Sequence, residues 1–343
     1  MAEGTGHDGA ETGPPPDAPA AASPVPPDET TPVVSSSAPN VEVPPVVAAG
    51  SGAPGTTQRA GRVWLNRDSA WFWPLAGLVA YLLVLFVNFL ANWVPFNDQS
   101  TGEVITKHPI PFQPAGWAFF IWILIYALLA AYVVYTLTPG GQRSHRVRRI
   151  GPFFVLSCAA NIAWIFVWHW EQFLLSLIAI LVLWASLLVI YILARRGNVD
   201  GRLPSQWQKL VIQVPFSVYL GWVSVAALAN FAVWANRSWH SGNPFSDRSW
   251  AVILLIVGVA IAAAFALFAR DAIVPLVTVW AYVAIVQQQW SASTLVVVVA
   301  VIGAIAAAAL TVAAWSLRFN PNAFADFSPR RRRTGSTPGA SSG

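Results

Sequence analysis

The chain has very little of two things that usually betray a catalytic or coupling site: thiol chemistry and charge inside apolar runs. It holds one cysteine, Cys158, and one methionine in 343 residues. A lone thiol cannot close an intrachain disulfide, and no zinc-type Cys/His spacing is present. Charged residues make up 10% of the chain, and none lies midway along an apolar stretch; Glu171, Arg270 and Asp271 read as turn residues. Proton relays and ion-coupled pumps carry intramembrane acids and bases, so that class is disfavoured. No hydrolytic triad and no phosphate-cradling glycine loop appears, which argues against an enzyme. About sixty polar residues precede the first apolar run, so no cleavable signal peptide is expected and the first helix serves as its own anchor.

What the chain does have is apolar length. It is 56% hydrophobic, with a mean hydropathy of +0.55, the composition of an integral membrane protein. Eight runs approach the ~20 residues that cross a bilayer: 71–94, 115–138, 151–170, 173–194, 210–235, 250–269, 272–290 and 293–317. They are continuous rather than alternating, so they predict helices and an all-α polytopic membrane protein. With a cytoplasmic N-terminus, seventeen of the twenty basic residues fall on the cytoplasmic side, and only Lys107, Arg237 and Arg248 fall outside. That asymmetry predicts both termini in the cytoplasm. The basic clusters are thereby explained as topology signals facing lipid headgroups, with no nucleic-acid partner implied.

Composition also divides the chain. Residues 1–65 are rich in Pro and Ala, with seven acidic residues before position 60, and read as a disordered tail. Residues 328–343, with the run Arg330 to Arg333, read the same way. Between them lie an aromatic-rich five-helix part at 71–236 and three further helices at 250–317, of which the first and third are mostly Ala and Val. The connection 95–114 carries prolines at 95, 109, 111 and 114, and reads either as a stiff lid over the outer bundle mouth or as a plain connector.

Eighteen tryptophans are present, and Trp122, Trp164, Trp184, Trp222 and Trp280 sit well inside apolar runs. Indoles normally prefer the interface, where the N–H finds a partner. At helical spacing, Trp122 and Tyr126 share a face, as do Asn161, Trp164 and Trp168, and as do Tyr219, Trp222, Ala226 and Asn230. Counting from the outer ends of their helices puts Trp122 and Trp164 roughly 10 Å deep at 1.5 Å per residue. Three stripes therefore converge in the outer half of the bundle. They either line a pocket for a planar hydrophobic ligand or pack on one another, the embedded amides acting as interhelical glue.

The motifs P-x-x-W-x-F…W…Y at 114–126, N-x-x-W at 161–164 and Y-L-x-W-x-S-x-A-x-x-x-N at 219–230 resemble the TspO/MBR family of tryptophan-rich sensory and translocator proteins. The resemblance covers 71–236. It departs in the Trp117–Trp122 spacing, one residue shorter than in the best-known members, and in Pro215, four residues before Tyr219 rather than one. What it implies is a five-helix bundle binding porphyrins and other hydrophobic molecules beneath the first loop, often as a homodimer, in the plasma (inner) membrane. Such proteins are described as sensors or transporters of tetrapyrroles, and some as light-dependent porphyrin degraders. Carried over, Trp117, Phe119, Trp122 and Tyr126 form one wall, Asn161, Trp164 and Trp168 a second, and Tyr219, Trp222, Ala226 and Asn230 the third. No resident cofactor is implied; porphyrin or haem would be the ligand.

Three weaker signals complete the reading. His169 has no second axial partner and reads as an interface residue rather than a haem ligand. The stretch Leu188–Tyr191–Arg195 fits a proposed sterol pattern too loose to carry weight. Trp280, beyond the family-like region, reads as packing, and Trp184 as ambiguous.

Overall fold

The computed structural model describes residues 71–94, 96–195, 205–238 and 245–319; both expected tails lie outside these. Among the described residues eight long helices follow one another: α1 Phe72–Trp93, α2 Ile121–Leu137, α3 His145–His169, α4 Phe173–Arg195, α5 Val214–Ser238, α6 Asp247–Ala269, α7 Ile273–Gln289 and α8 Thr294–Phe319. No strand occurs among the described residues, and the all-α polytopic class is observed. Among the described residues, seven helical stretches, counted with their 3-10 and π extensions, are long and apolar enough to span a membrane. The exception is α7, with 17 residues, at the short limit for a bilayer crossing.

The ends of the helices show how local sequence shaped them. Helix α3 begins at His145, six residues before the expected 151, because Arg146, Arg148 and Arg149 hide a helical turn from any search for apolar runs. Ser144 caps that turn, its Oγ accepting from the Val147 N–H at 3.4 Å. Helix α2 is entered through a 3-10 segment, Gly116–Phe120. Helix α5 is entered through a π-helical segment, Lys209–Gln213. Pro215 donates no backbone N–H, and its ring would crowd the carbonyl four residues back. The wider π turn lies where that crowding falls.

Helix α5 is the axis of the molecule. From Pro215 to Val225 all eleven residues are buried, so no face there is left for lipid. It packs on α2, α4, α6 and α7. The three later helices are fastened around Tyr282 of α7, whose Oη donates to the Leu255 carbonyl of α6 at 2.5 Å. A Cβ at Gly258 would stand 2.3 Å from that hydroxyl, and one at Gly303 would stand 2.7 Å from the ring. Only glycine allows α6 and α8 to approach the ring this closely.

The connection between α1 and α2 caps one end of the bundle. A seven-residue helix, Thr101–Lys107, opens with a capping box between Ser100 and Glu103. Val104, Ile110 and Phe112 are buried and join the main core. At the opposite end, Asp271 in the α6–α7 turn is buried. Its Oδ2 accepts from Arg195 Nη2 at 2.6 Å and from Tyr191 Oη at 3.0 Å. Its Oδ1 caps α7 by accepting from the Ile273 N–H at 2.8 Å. Arg195 also donates to Ser217 Oγ at 2.8 Å and lies over the Tyr191 ring, 3.8 Å from its centroid. Tyr191 and Arg195 thus face inward, and the sterol-like pattern they belong to is not a lipid-facing surface.

Candidate functional site

The three stripes meet below the capping loop. On α2, Trp122 stacks on Tyr126 with centroids 5.5 Å apart, and its ring meets Tyr219 of α5 edge to face at 5.8 Å. One helical turn nearer the loop, Phe119 meets Trp222 edge to face at 5.6 Å. The α3 stripe joins through amides. Asn88 Nδ2 of α1 donates to Asn161 Oδ1 at 3.0 Å, and Asn161 Nδ2 donates to Tyr219 Oη at 3.0 Å. Trp164 stacks on Trp168 at 5.6 Å and donates through Nε1 to Asn230 Oδ1 of α5 at 3.1 Å. The same Asn230 oxygen accepts from Ser176 of α4 at 2.5 Å, while its Nδ2 donates to the Ala226 carbonyl at 3.0 Å.

Most polar groups here are satisfied by each other, as an apolar surrounding demands. Two are not. Tyr126 Oη and Trp222 Nε1 are buried with no hydrogen-bond partner, each forfeiting about 1–3 kcal/mol. Trp122, Tyr126, Trp164 and Ala226 are only partly buried.

Rings, amides and helix order together match a known pattern: residues 74–313 match the family of TSPO-like proteins. The chain belongs to that family. The match runs through α6 and α7 into α8, well past the 71–236 stretch that carries the motifs. No curated protein and no solved structure matches it.

One wall residue of this TSPO-like chain has a neighbour that motif spacing did not foretell. Trp117 is engaged by α7: its Nε1 donates to Gln287 Oε1 at 2.6 Å, and its ring meets Trp280 edge to face at 4.7 Å. Trp280 in turn donates to the Ala118 carbonyl at 3.0 Å. Trp184 donates to Ser224 Oγ at 2.9 Å, bridging α4 and α5. Sequence reasoning missed Gln287, since it sits near a helix end with nothing in its spacing to single it out.

His169, expected at an interface, is fully buried, because the capping loop folds down over it. Its Nδ1 lies 2.7 Å from the Ile165 carbonyl and its Nε2 lies 3.3 Å from Thr101 Oγ1. Both ring nitrogens are engaged within the protein. The loop is fastened to the site itself, since Trp168 Nε1 donates to the Thr101 carbonyl at 3.3 Å. Beside it, Gln99 Nε2 donates to the His169 carbonyl at 2.6 Å and to Glu171 Oε1 at 3.2 Å. Glu171 also meets His108 Nε2 at 3.0 Å and Lys107 Nζ at 3.8 Å. The His108 hydrogen bond, aided by Gln99 and Lys107, outweighs partial burial and holds the Glu171 carboxyl below its usual range.

Proposed function

We propose that this protein is a membrane receptor of the tryptophan-rich sensory type, binding a planar hydrophobic ligand, with a tetrapyrrole favoured, among the α2, α3 and α5 stripes. The observation that carries the reading is the pair of orphaned donors, Tyr126 Oη and Trp222 Nε1, within an aromatic cluster. Ring faces suit a conjugated plane, each stacked pair contributing about 0.5–1.5 kcal/mol. A ligand heteroatom reaching either donor would recover its lost hydrogen bond. The role is binding rather than catalysis, and the ligand is not a resident cofactor. In this reading the loop end faces outward from the plasma membrane and both termini are cytoplasmic, as the basic residues indicate.

Titration of purified protein with protoporphyrin, followed by tryptophan fluorescence, tests this directly. Saturable quenching is expected, weakened about tenfold or more in Trp122→Ala and Trp164→Ala, the equivalent of one lost stacking contact or two. Quenching that is absent, or identical in the variants, sinks the reading. A scaffold is the second reading, favoured by the ring-to-ring closure of the stripes. It expects those alanine changes to lower thermal stability while leaving every ligand's affinity alone. A carrier would in addition move ligand across reconstituted vesicles, and binding without flux counts against it.

A further inference from the structure

We infer that α7 is a working part of the ligand site, with Gln287 and Trp280 as positioning residues that set the first wall and thereby its ligand preference. The inference rests on the binding reading above. The opening of α2, which carries Trp117 and Phe119, is a 3-10 segment with no side-chain cap at its N-terminus. Such a segment is weakly held by its own hydrogen bonds, so its position depends on what lies against it. What lies against it is α7.

Three hydrogen bonds strap the segment down. The Ala115 N–H donates to the Ala284 carbonyl at 3.1 Å, Trp280 Nε1 donates to the Ala118 carbonyl at 3.0 Å, and Trp117 Nε1 donates to Gln287 Oε1 at 2.6 Å. Edge-to-face contact between Trp117 and Trp280 at 4.7 Å, with planes 85° apart, locks the two indoles together. The consequence passes inward by short steps. Phe119 lies two residues beyond Trp117 and meets Trp222, the owner of an orphaned donor. Trp122 follows one turn later and meets Tyr219. Moving the strap therefore moves the wall against which a flat ligand would lie. The far end of α7 is anchored independently by Asp271, so the helix gives the strap a fixed base.

The test compares Gln287→Leu, which removes the acceptor, with Gln287→Glu, which keeps one, and Trp280→Phe, which removes the indole donor but keeps a ring. Protoporphyrin and a narrower planar probe, an acridine dye, are titrated against each full-length variant. Gln287→Leu and Trp280→Phe are expected to weaken protoporphyrin binding ~5–10-fold, the worth of one hydrogen bond, and to change the ratio between the two probes. Gln287→Glu should restore both values, and Val283→Ala, on an exposed face of α7, should leave them as in the parent. A lower melting temperature with affinity and ratio unchanged assigns these residues to packing alone and overturns the inference. If the parent protein binds neither probe, the binding reading falls and takes this one with it; if the parent binds and the variants match it, only this one falls.

Discussion

Tyr219 accepts a hydrogen bond from Asn161 at 3.0 Å in the interior of the bundle, and a single oxygen atom separates it from phenylalanine. Tyr219→Phe leaves Asn161 Nδ2 without its acceptor on α5, and the expected loss is about 1 kcal/mol, the typical value of a hydrogen bond between helices in a membrane. Thermal unfolding in detergent measures it. Asn161→Leu should cost more, because it also removes the acceptor on α3 of the Asn88 amide, leaving that group only its bond to the Val84 carbonyl of its own helix. At this scale the sequence was informative about position and silent about partners. Periodicity placed Asn161, Trp164, Tyr219 and Asn230 on the right faces, since apolar spacing records burial. Which amide meets which indole depends on helix rotation and depth to within an ångström, and no residue spacing records that. Trp117 shows the limit most clearly: its motif is local, but its hydrogen-bond partner lies 170 residues away.

Among elements, the capping loop is the one whose attachment can be titrated. Glu171 holds Lys107, His108 and Gln99 to the α3–α4 turn. Its folded-state affinity for a proton is depressed below the ordinary value of 4.5, with the His108 hydrogen bond the largest cause. A depressed carboxylate contributes stability that is fully present above the unfolded value and is lost as pH falls through the folded one. Protection of the Thr101–Lys107 amides against hydrogen exchange, corrected for the intrinsic pH dependence of exchange, should therefore stay high above about pH 5 and fall as pH drops below 4.5. Glu171→Gln should shrink that transition to the part owed to Glu103, whose carboxyl is also held below its usual range by its hydrogen bond from the Ser100 N–H, and a transition of unchanged size in the variant refutes the assignment. Glu171 is partly solvated, so the effect is modest. The helices themselves were legible because a bilayer demands unbroken apolar length. The start of α3, the π turn before Pro215 and the helix within the capping loop were not, because arginines, proline and polar caps set them rather than hydrophobic runs.

At the scale of the whole molecule, the ion pair of Arg195 and Asp271 joins α4 to the α6–α7 turn, with Ser217 bringing in α5. Asp271 reads as a turn residue and Arg195 as a helix end, and neither position in the sequence points to the other. Burial of the pair shows only once α4 and the turn are packed together. Asp271→Asn is expected to destabilise the protein by about 3 kcal/mol, since it leaves a largely buried guanidinium without its counter-charge. Replacing both partners, Arg195→Met with Asp271→Asn, should cost less than the single change, and denaturant unfolding of the two variants decides the matter. The pair also has a timetable. Its members are 76 positions apart in the chain, so at roughly 5–20 residues per second the ribosome leaves Arg195 waiting ~4–15 s for its partner. During that interval the guanidinium at the end of α4 is without its counter-charge. Completion of α5 packing is thus tied to the arrival of the later helices, and a chain stalled before residue 271 would present the cell's membrane quality control with an unpaired arginine.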